Sequence, residues 1–256
     1  MSILDQIVAS TKERVERDKQ AELSTRNTGP RAPFLFEHSL RRPGFHFICE
    51  VKKASPSKGI ITEDFPYLDI AKDYEAAGAS AVSVLTEPEF FLGGDRYLAD
   101  IREHVSLPLL RKDFIVDPFQ IEQSARLGAD AILLICAILT PTQLAAYIQA
   151  ADQLGLSCLV EAHDRDELKI ALKAGARVIG VNNRNLKTFE VDTGASVRLR
   201  PMAPKEIPFV SESGICSAED VAILREHGVN AVLVGETLMR SPDRKAALSA
   251  LRGGEG

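Results

Sequence analysis

The chain has 256 residues, 45% of them hydrophobic and 26% charged, a composition typical of a folded protein long enough to close one large core or two small ones. A formal net charge of −5 argues against a nucleic-acid partner, because binding a phosphate backbone needs clustered Lys and Arg; any anionic ligand must be met by local groups. No stretch approaches the ~18 apolar residues of a membrane span, and the first twenty residues mix acids and bases without the apolar run of a secretory signal.

Taken in chain order, Ile3, Leu4, Ile7, Val8 and Val15 recur at helical spacing among charges and predict an amphipathic N-terminal helix. A Gly/Pro-rich link over Thr28 to Pro33 leads to a second short helical piece around Phe34 to Leu40. Residues 1–45 hold too few apolar groups for a core of their own, so they are expected to form a helical extension packed on the remainder of the chain. From 46 to 252 the pattern changes. Apolar β-like runs at about 47–52, 81–85, 107–112, 130–135, 157–161, 177–182, 207–212 and 231–235 are each followed by helical spacing. Gly78, Gly128, Gly175 and Gly228 mark helix exits, each followed by a short link and a fully apolar strand. They recur at roughly 50-residue intervals, two βα units at a time. Eight strands alternating with helices predict an α/β protein of the (β/α)8 TIM-barrel class. The open doubly wound sheet, the other α/β option, lacks its GxGxxG after the first strand. Residues 253–256, GGEG, are expected to fray. Cys49, Cys136, Cys158 and Cys216 are widely separated and form no CxxC pair, which reads as reduced thiols of a cytoplasmic protein.

The strand ends carry the chemistry. In FICEVKKASPSKG (47–59) side chains alternate faces, so Glu50 and Lys52 share one face while Cys49 and Val51 share the other. An acid and a base at the end of an apolar strand are costly to bury unless they work on a ligand. The same pattern returns in LPLLRKD with Lys112, SCLVE with Glu161, RVIGVNN with Asn182 and IPFVSES with Glu212. Barrel active sites lie at the C-terminal face, so two ammonium groups, three carboxylates and an amide should converge there as an acid/base site. Ser213-Gly214-Ile215 and Gly235-Glu236-Thr237 place glycines in the last two loops, where backbone N–H groups can bind a phosphate. Ser55, Ser57 and Lys58 of the first loop are positioned to close over it. No HxH or HExxH spacing suggests a metal.

ExKKASPSKG (50–59), SVLTE (83–87), FLGG (91–94), RKDFIVDPFQI (111–121), GADAILLI (128–135), GVNNRNL (180–186), SESGI (211–215) and VGETLMR (234–240) together resemble the indole-3-glycerol phosphate synthase family over essentially the whole chain. The resemblance implies ring closure, decarboxylation and dehydration of 1-(2-carboxyphenylamino)-1-deoxyribulose 5-phosphate, with no cofactor and only a phosphorylated small molecule as partner, in a monomer or homodimer. It implies Lys112 as the acid of ring closure, with Glu161 and Lys52 dividing the dehydration. Lys52 also faces the substrate carboxylate, Glu50 and Glu212 fix its position and charge, and Asn182 holds a polar group. Phosphate would lie on Ser55, Ser213, Gly214, Gly235 and the backbone of Glu236, where some relatives have Ser. Leu85, Phe91, Phe114, Leu133 and Leu186 would wall the aromatic ring, and Arg184 would support the site. With one barrel's length present, a fused second pathway barrel is not expected. Two other readings stay open at this level: a Schiff-base aldolase using Lys112 or Lys52, and a phosphate-binding barrel without chemistry.

Overall fold

The computed structural model describes residues 2–20, 31–185 and 188–254. Eight parallel strands close a barrel: β1 (His46–Val51), β4 (Ala81–Leu85), β5 (Leu109–Lys112), β6 (Ala131–Ile135), β7 (Ser157–Ala162), β8 (Val178–Asn182), β9 (Phe209–Glu212) and β10 (Ala231–Val234). Each pairs with its sequence neighbour, and β10 returns to β1, with His46 opposite Ala231 and Cys49 opposite Val234. A small antiparallel hairpin, β2 (Ala54–Ser55) with β3 (Gly59–Ile60), stands on the loop after β1. The barrel is the one predicted, with strand bounds shifted by up to two residues. The β2–β3 hairpin was not anticipated, because ASPSKGI carries turn residues and no apolar alternation.

Pleat alternation divides the apolar residues into two cores. Ile48, Leu110, Leu133, Leu159, Val178, Val210 and Leu233 fill the barrel axis. Cys49, Val51, Val82, Val84, Leu109, Leu134, Val160 and Val232 face outward and are covered by the helices. The strands read as unbroken apolar runs because both faces are buried. Glycines end the helices as expected: Gly78, Gly128, Gly175 and Gly228 have φ of 76°, 85°, 91° and 78°, the left-handed turn that sends the chain back into the next strand. Starts are set by side-chain caps, with Thr140 and Gln143 reciprocally capping α6 (Pro141–Gln153) and Asp164 accepting from the amides of Asp166 and Glu167 at α7 (Arg165–Lys173).

Two helices precede β1. α1 (Ile3–Gln20) buries Ile7, Thr11 and Val15. α2 (Leu35–Leu40) begins after Phe34, which takes a left-handed φ of 56°, and places Phe36 and Leu40 against the barrel-axis residues. Residues 28–30 of the link over 28–33 fall outside the described residues, as do the last two residues of the expected tail.

Candidate active site

A cavity of about 760 Å³ opens at the C-terminal ends of the strands. Glu50 on β1, Lys52 just beyond it, Lys112 ending β5, Glu161 on β7, Asn182 ending β8 and Glu212 ending β9 all line it. The two ammonium groups, three carboxylates and amide of the strand ends therefore share one pocket.

Glu50, Glu161 and Glu212 are only 4%, 2% and 2% exposed. Burying an uncompensated carboxylate costs several kcal/mol, so the countercharges matter. Lys112 Nζ lies 3.5 Å from Glu212 Oε2 and 3.6 Å from Glu161 Oε2, and Lys52 Nζ lies 2.5 Å from Glu50 Oε2. Two cations face three carboxylates. The imbalance shows at Glu212, whose Oε1 is buried with no hydrogen-bond partner among the described residues. Burial pushes the Glu212 carboxyl up to about 8; Lys112 opposes the rise, and the charges of Glu161 and Glu50 add to it. Lys112 shifts the other way for an ammonium. Burial alone would lower it, but Glu212, Glu161 and Glu50 together hold it above its ordinary value and keep it protonated.

Two glycines make room for this cluster. A Cβ on Gly180 would overlap Glu212 Oε1, and one on Gly235 would come within 2.5 Å of Glu50 Oε2 and 3.1 Å of Lys52 Nζ. Gly235 was expected to serve a phosphate through its backbone; its missing side chain also admits the Glu50–Lys52 pair. Gly180 escaped sequence reasoning because a glycine inside an apolar strand signals only some close approach, without its partner.

Asn182 spends its carbonyl oxygen on the protein: Oδ1 accepts from Arg184 N at 3.0 Å and from Ser213 Oγ at 2.9 Å. This presents the amide as a donor. Ser213 and Gly214 take successive left-handed φ values of 69° and 85°, and the Asn183 amide donates to Ser213 O at 3.0 Å, so the loop after β9 is held in a sharp turn. Ser55, Ser213, Gly214, Gly235 and Glu236 line one side of the cavity together with Lys58 and Arg240. The Glu236 carboxylate is taken up by these cations, at 3.5 Å from Lys58 Nζ and 3.1 Å from Arg240 Nε.

Leu85, Phe91, Phe114 and Leu133 line the apolar side, the two rings 6.0 Å apart between centroids. The loop that carries Phe91 is tied down by Glu87, whose carboxylate accepts from the amides of Glu89, Phe90 and Phe91 at 2.7 to 3.0 Å. Arg184 lines the cavity and donates to Phe189 O at 3.1 Å. Leu186 lies outside the described residues.

Asp113 was missed, since alternation turns it away from Lys112 and the triplet RKD was the only hint. Its fully buried carboxylate accepts from Arg14 Nη2, Thr86 Oγ1 and Phe114 N, each at 2.8 Å, and lies 3.3 Å from Arg111 Nη2. Burial works against ionisation there, but Arg14 and Arg111 outweigh it and hold the carboxyl below its usual range. This pair pins α1 beside Lys112, and Ile3, Leu4 and Ile7 of the same helix line the cavity.

The sequence profile described as Indole-3-glycerol phosphate synthase matches residues 3–251. The chain is 59% identical over 257 residues to the indole-3-glycerol phosphate synthase of Ruminiclostridium cellulolyticum, covering 98% of this chain and 99% of that protein. It is 52% identical over 258 residues to the one of Endomicrobium trichonymphae, with 98% and 99% covered. Among solved structures, 3-hexulose-6-phosphate synthase from Salmonella typhimurium aligns with a TM-score of 0.66 at 13% identity, over 82% of this chain and 97% of that one, a likeness of fold alone. With a profile match that runs from α1 to the last helix and relatives more than half identical over nearly their full lengths, the chain belongs to the indole-3-glycerol phosphate synthase family.

Proposed function

We propose that this chain converts 1-(2-carboxyphenylamino)-1-deoxyribulose 5-phosphate to indole-3-glycerol phosphate, CO2 and water, a step of tryptophan biosynthesis. The observation that carries the reading is the Lys112 ammonium held between Glu161 and Glu212, with an aromatic wall on one side of the cavity and two glycine loops on the other. Substrate phosphate lies on Ser55, Ser213, Gly214, Gly235 and the Glu236 backbone, where it can draw Lys58 and Arg240 away from the Glu236 carboxylate. The benzoate ring lies along Phe91, Phe114, Leu85 and Leu133, and its carboxylate faces Lys52.

Ring closure joins the carboxylate-bearing ring carbon to the ribulose carbonyl carbon while the carbonyl oxygen gains a proton. That oxygen becomes alkoxide-like as the bond forms, so an ammonium whose proton is firmly held can still give it up to so strong a base; Lys112 fills this role. Loss of CO2 leaves its bonding electrons to restore the aromatic ring, so the step needs no electron sink. Dehydration then requires an acid at the leaving hydroxyl and a base at the neighbouring carbon. Glu161 and Lys52 divide these tasks, Glu50 holds Lys52, and Asn182 donates to a substrate oxygen. A Schiff-base aldolase fits less well, because its lysine must be an unprotonated amine. We place the enzyme in the cytoplasm, as a monomer or homodimer.

Turnover of this substrate by the purified chain tests the reading. The chain contains no Trp, so indole fluorescence reports product over a Tyr and Phe background. Absence of an indole product would overturn the assignment.

A further inference from the structure

One partly buried titratable group beside the site has no part in the chemistry above. His163 follows β7 by one residue and does not line the cavity; it stands behind Glu161. Its backbone N–H donates to Glu167 Oε2 at 2.8 Å, and its Nδ1 lies 3.1 Å from the same oxygen. A carboxylate oxygen accepts, so Nδ1 carries a hydrogen. Glu167 is itself part of the first turn of α7, and its backbone oxygen lies 3.6 Å from the Cys136 thiol sulfur. The ring orientation is thereby set from a helix outside the barrel.

Nε2 is then aimed at the site. It is buried, makes no hydrogen bond among the described residues, and lies 3.4 Å from Glu161 Oε1. Glu161 Oε2, the other oxygen, faces Lys112 at 3.6 Å. With a hydrogen fixed on Nδ1, the approach of Nε2 to Oε1 at 3.4 Å is attractive only when the pair holds one proton, on the ring or on the carboxyl. Either an imidazolium faces a carboxylate, or a neutral imidazole faces a carboxylic acid. With no proton there, a nitrogen lone pair would confront an anionic oxygen.

We propose that His163, oriented by Glu167, is a positioning residue that shares one proton with Glu161 and so sets the protonation state in which Glu161 acts. The inference rests on the acid/base role assigned above to Glu161. The groups around the ring favour the shared proton: Glu161 on β7, Glu167 on α7 and the more distant Glu212 on β9 are all acidic, Lys112 lies 3.6 Å from Glu161 Oε2, the oxygen turned from the ring, and the Cys136 thiol is held protonated by burial. Burial alone would lower the imidazole, but the Glu167 hydrogen bond and these charges outweigh it and raise it above the ordinary value.

The test is the pH profile of kcat for His163→Asn and Glu167→Gln. Removing the imidazolium deprives the Glu161 carboxylate of a neighbouring positive charge, so the acid limb of kcat should move to higher pH by about one unit in His163→Asn. In Glu167→Gln the shift should have the same direction and a smaller size, and KM should stay within about twofold in both. Unmoved limbs in both variants would overturn the proposal. So would a loss of kcat that is equal at every pH, the mark of a purely structural role. If His163→Asn does not fold, Glu167→Gln decides alone. Glu161→Gln separates the two layers: if it retains wild-type turnover, the role of Glu161 itself fails, whereas an inactive Glu161→Gln beside an unmoved His163→Asn profile removes only the inference about His163.

Discussion

The two ends of the barrel both bury charged side chains, and they treat them in opposite ways. At the N-terminal end, Asp130 accepts from Arg31 Nε at 2.5 Å, Arg102 Nη1 at 3.0 Å and the Leu109 amide at 2.8 Å. The buried Glu37 carboxylate takes Arg177 Nε at 2.9 Å, and the partly exposed Arg177 places both terminal nitrogens on the Asp152 carboxylate at 2.8 Å. These groups tie α2 and the strand entrances together below the apolar plug of Phe36 and Leu40. At the C-terminal end, Lys112 is stretched between two carboxylates at 3.5 and 3.6 Å, Glu212 Oε1 has no hydrogen bond among the described residues, and His163 Nε2 is left facing Glu161. Buried charge by itself therefore does not identify a site. What distinguishes the active end is that its hydrogen-bonding capacity is left incomplete, so that substrate and moving protons can complete it.

Breaking the active end should cost rate and leave the fold. Lys112→Met keeps most of the side-chain volume but removes the ammonium proposed as the acid of ring closure, so kcat should fall by roughly 10⁴-fold while substrate still binds. Fluorescence-detected turnover and equilibrium binding measure the two parts, and a near-normal kcat would remove Lys112 from the chemistry. Breaking the other end should do the reverse. Asp130→Ala strands the Arg102 guanidinium without its carboxylate and should destabilise the chain by about 3 kcal/mol in urea unfolding, with kcat/KM at the folded plateau unchanged. A lost kcat/KM with intact stability would erase the contrast between the ends.

Glu161→Gln sharpens the picture within the site. It should slow turnover by roughly 10²-fold, and an intermediate accumulating in single-turnover experiments would place Glu161 at dehydration and not at ring closure. The smallest effect is expected where the active end meets the N-terminal helix. Arg14→Met removes one of the partners of Asp113 and should cost about 1–2 kcal/mol. Asp113 has a lowered folded value, so its contribution is present above the ordinary carboxylate value near 3.8 and is lost as pH falls through the lowered one. The variant's deficit against wild type should accordingly shrink in acid-side unfolding curves. A deficit that is constant down to the acid transition would assign it to lost packing of α1.

Much of this was legible in the amino-acid pattern. Glu50, Lys52, Lys112, Glu161, Asn182 and Glu212 each end an apolar run, and in a parallel barrel all strand ends face the same way, so topology alone gathers them. The helix-exit glycines were equally readable, because a left-handed φ is a local requirement that few other residues meet. Asp113, Gly180 and His163 were not. Asp113 lies one residue past the end of β5 at the edge of the cavity, and its weight comes from Arg14, 99 residues away, which reaches it. Gly180 matters only because Glu212 from the next strand needs the space. His163 looks like a loop residue until Glu167 and Glu161 are seen on either side of its ring.

The amino-acid pattern by itself determined the alternation of strands and helices, their closure into a barrel, and which side chains reach its C-terminal rim, because pleat, helical period and turn chemistry are properties of neighbouring residues. Only the tertiary structure decided the charge balance of that rim: which carboxylate keeps an unpartnered oxygen, which lysine is held protonated, and which imidazole stands behind the acid. Those depend on distances of a few ångströms between segments far apart in the chain, and electrostatic energies at low dielectric change steeply over that range.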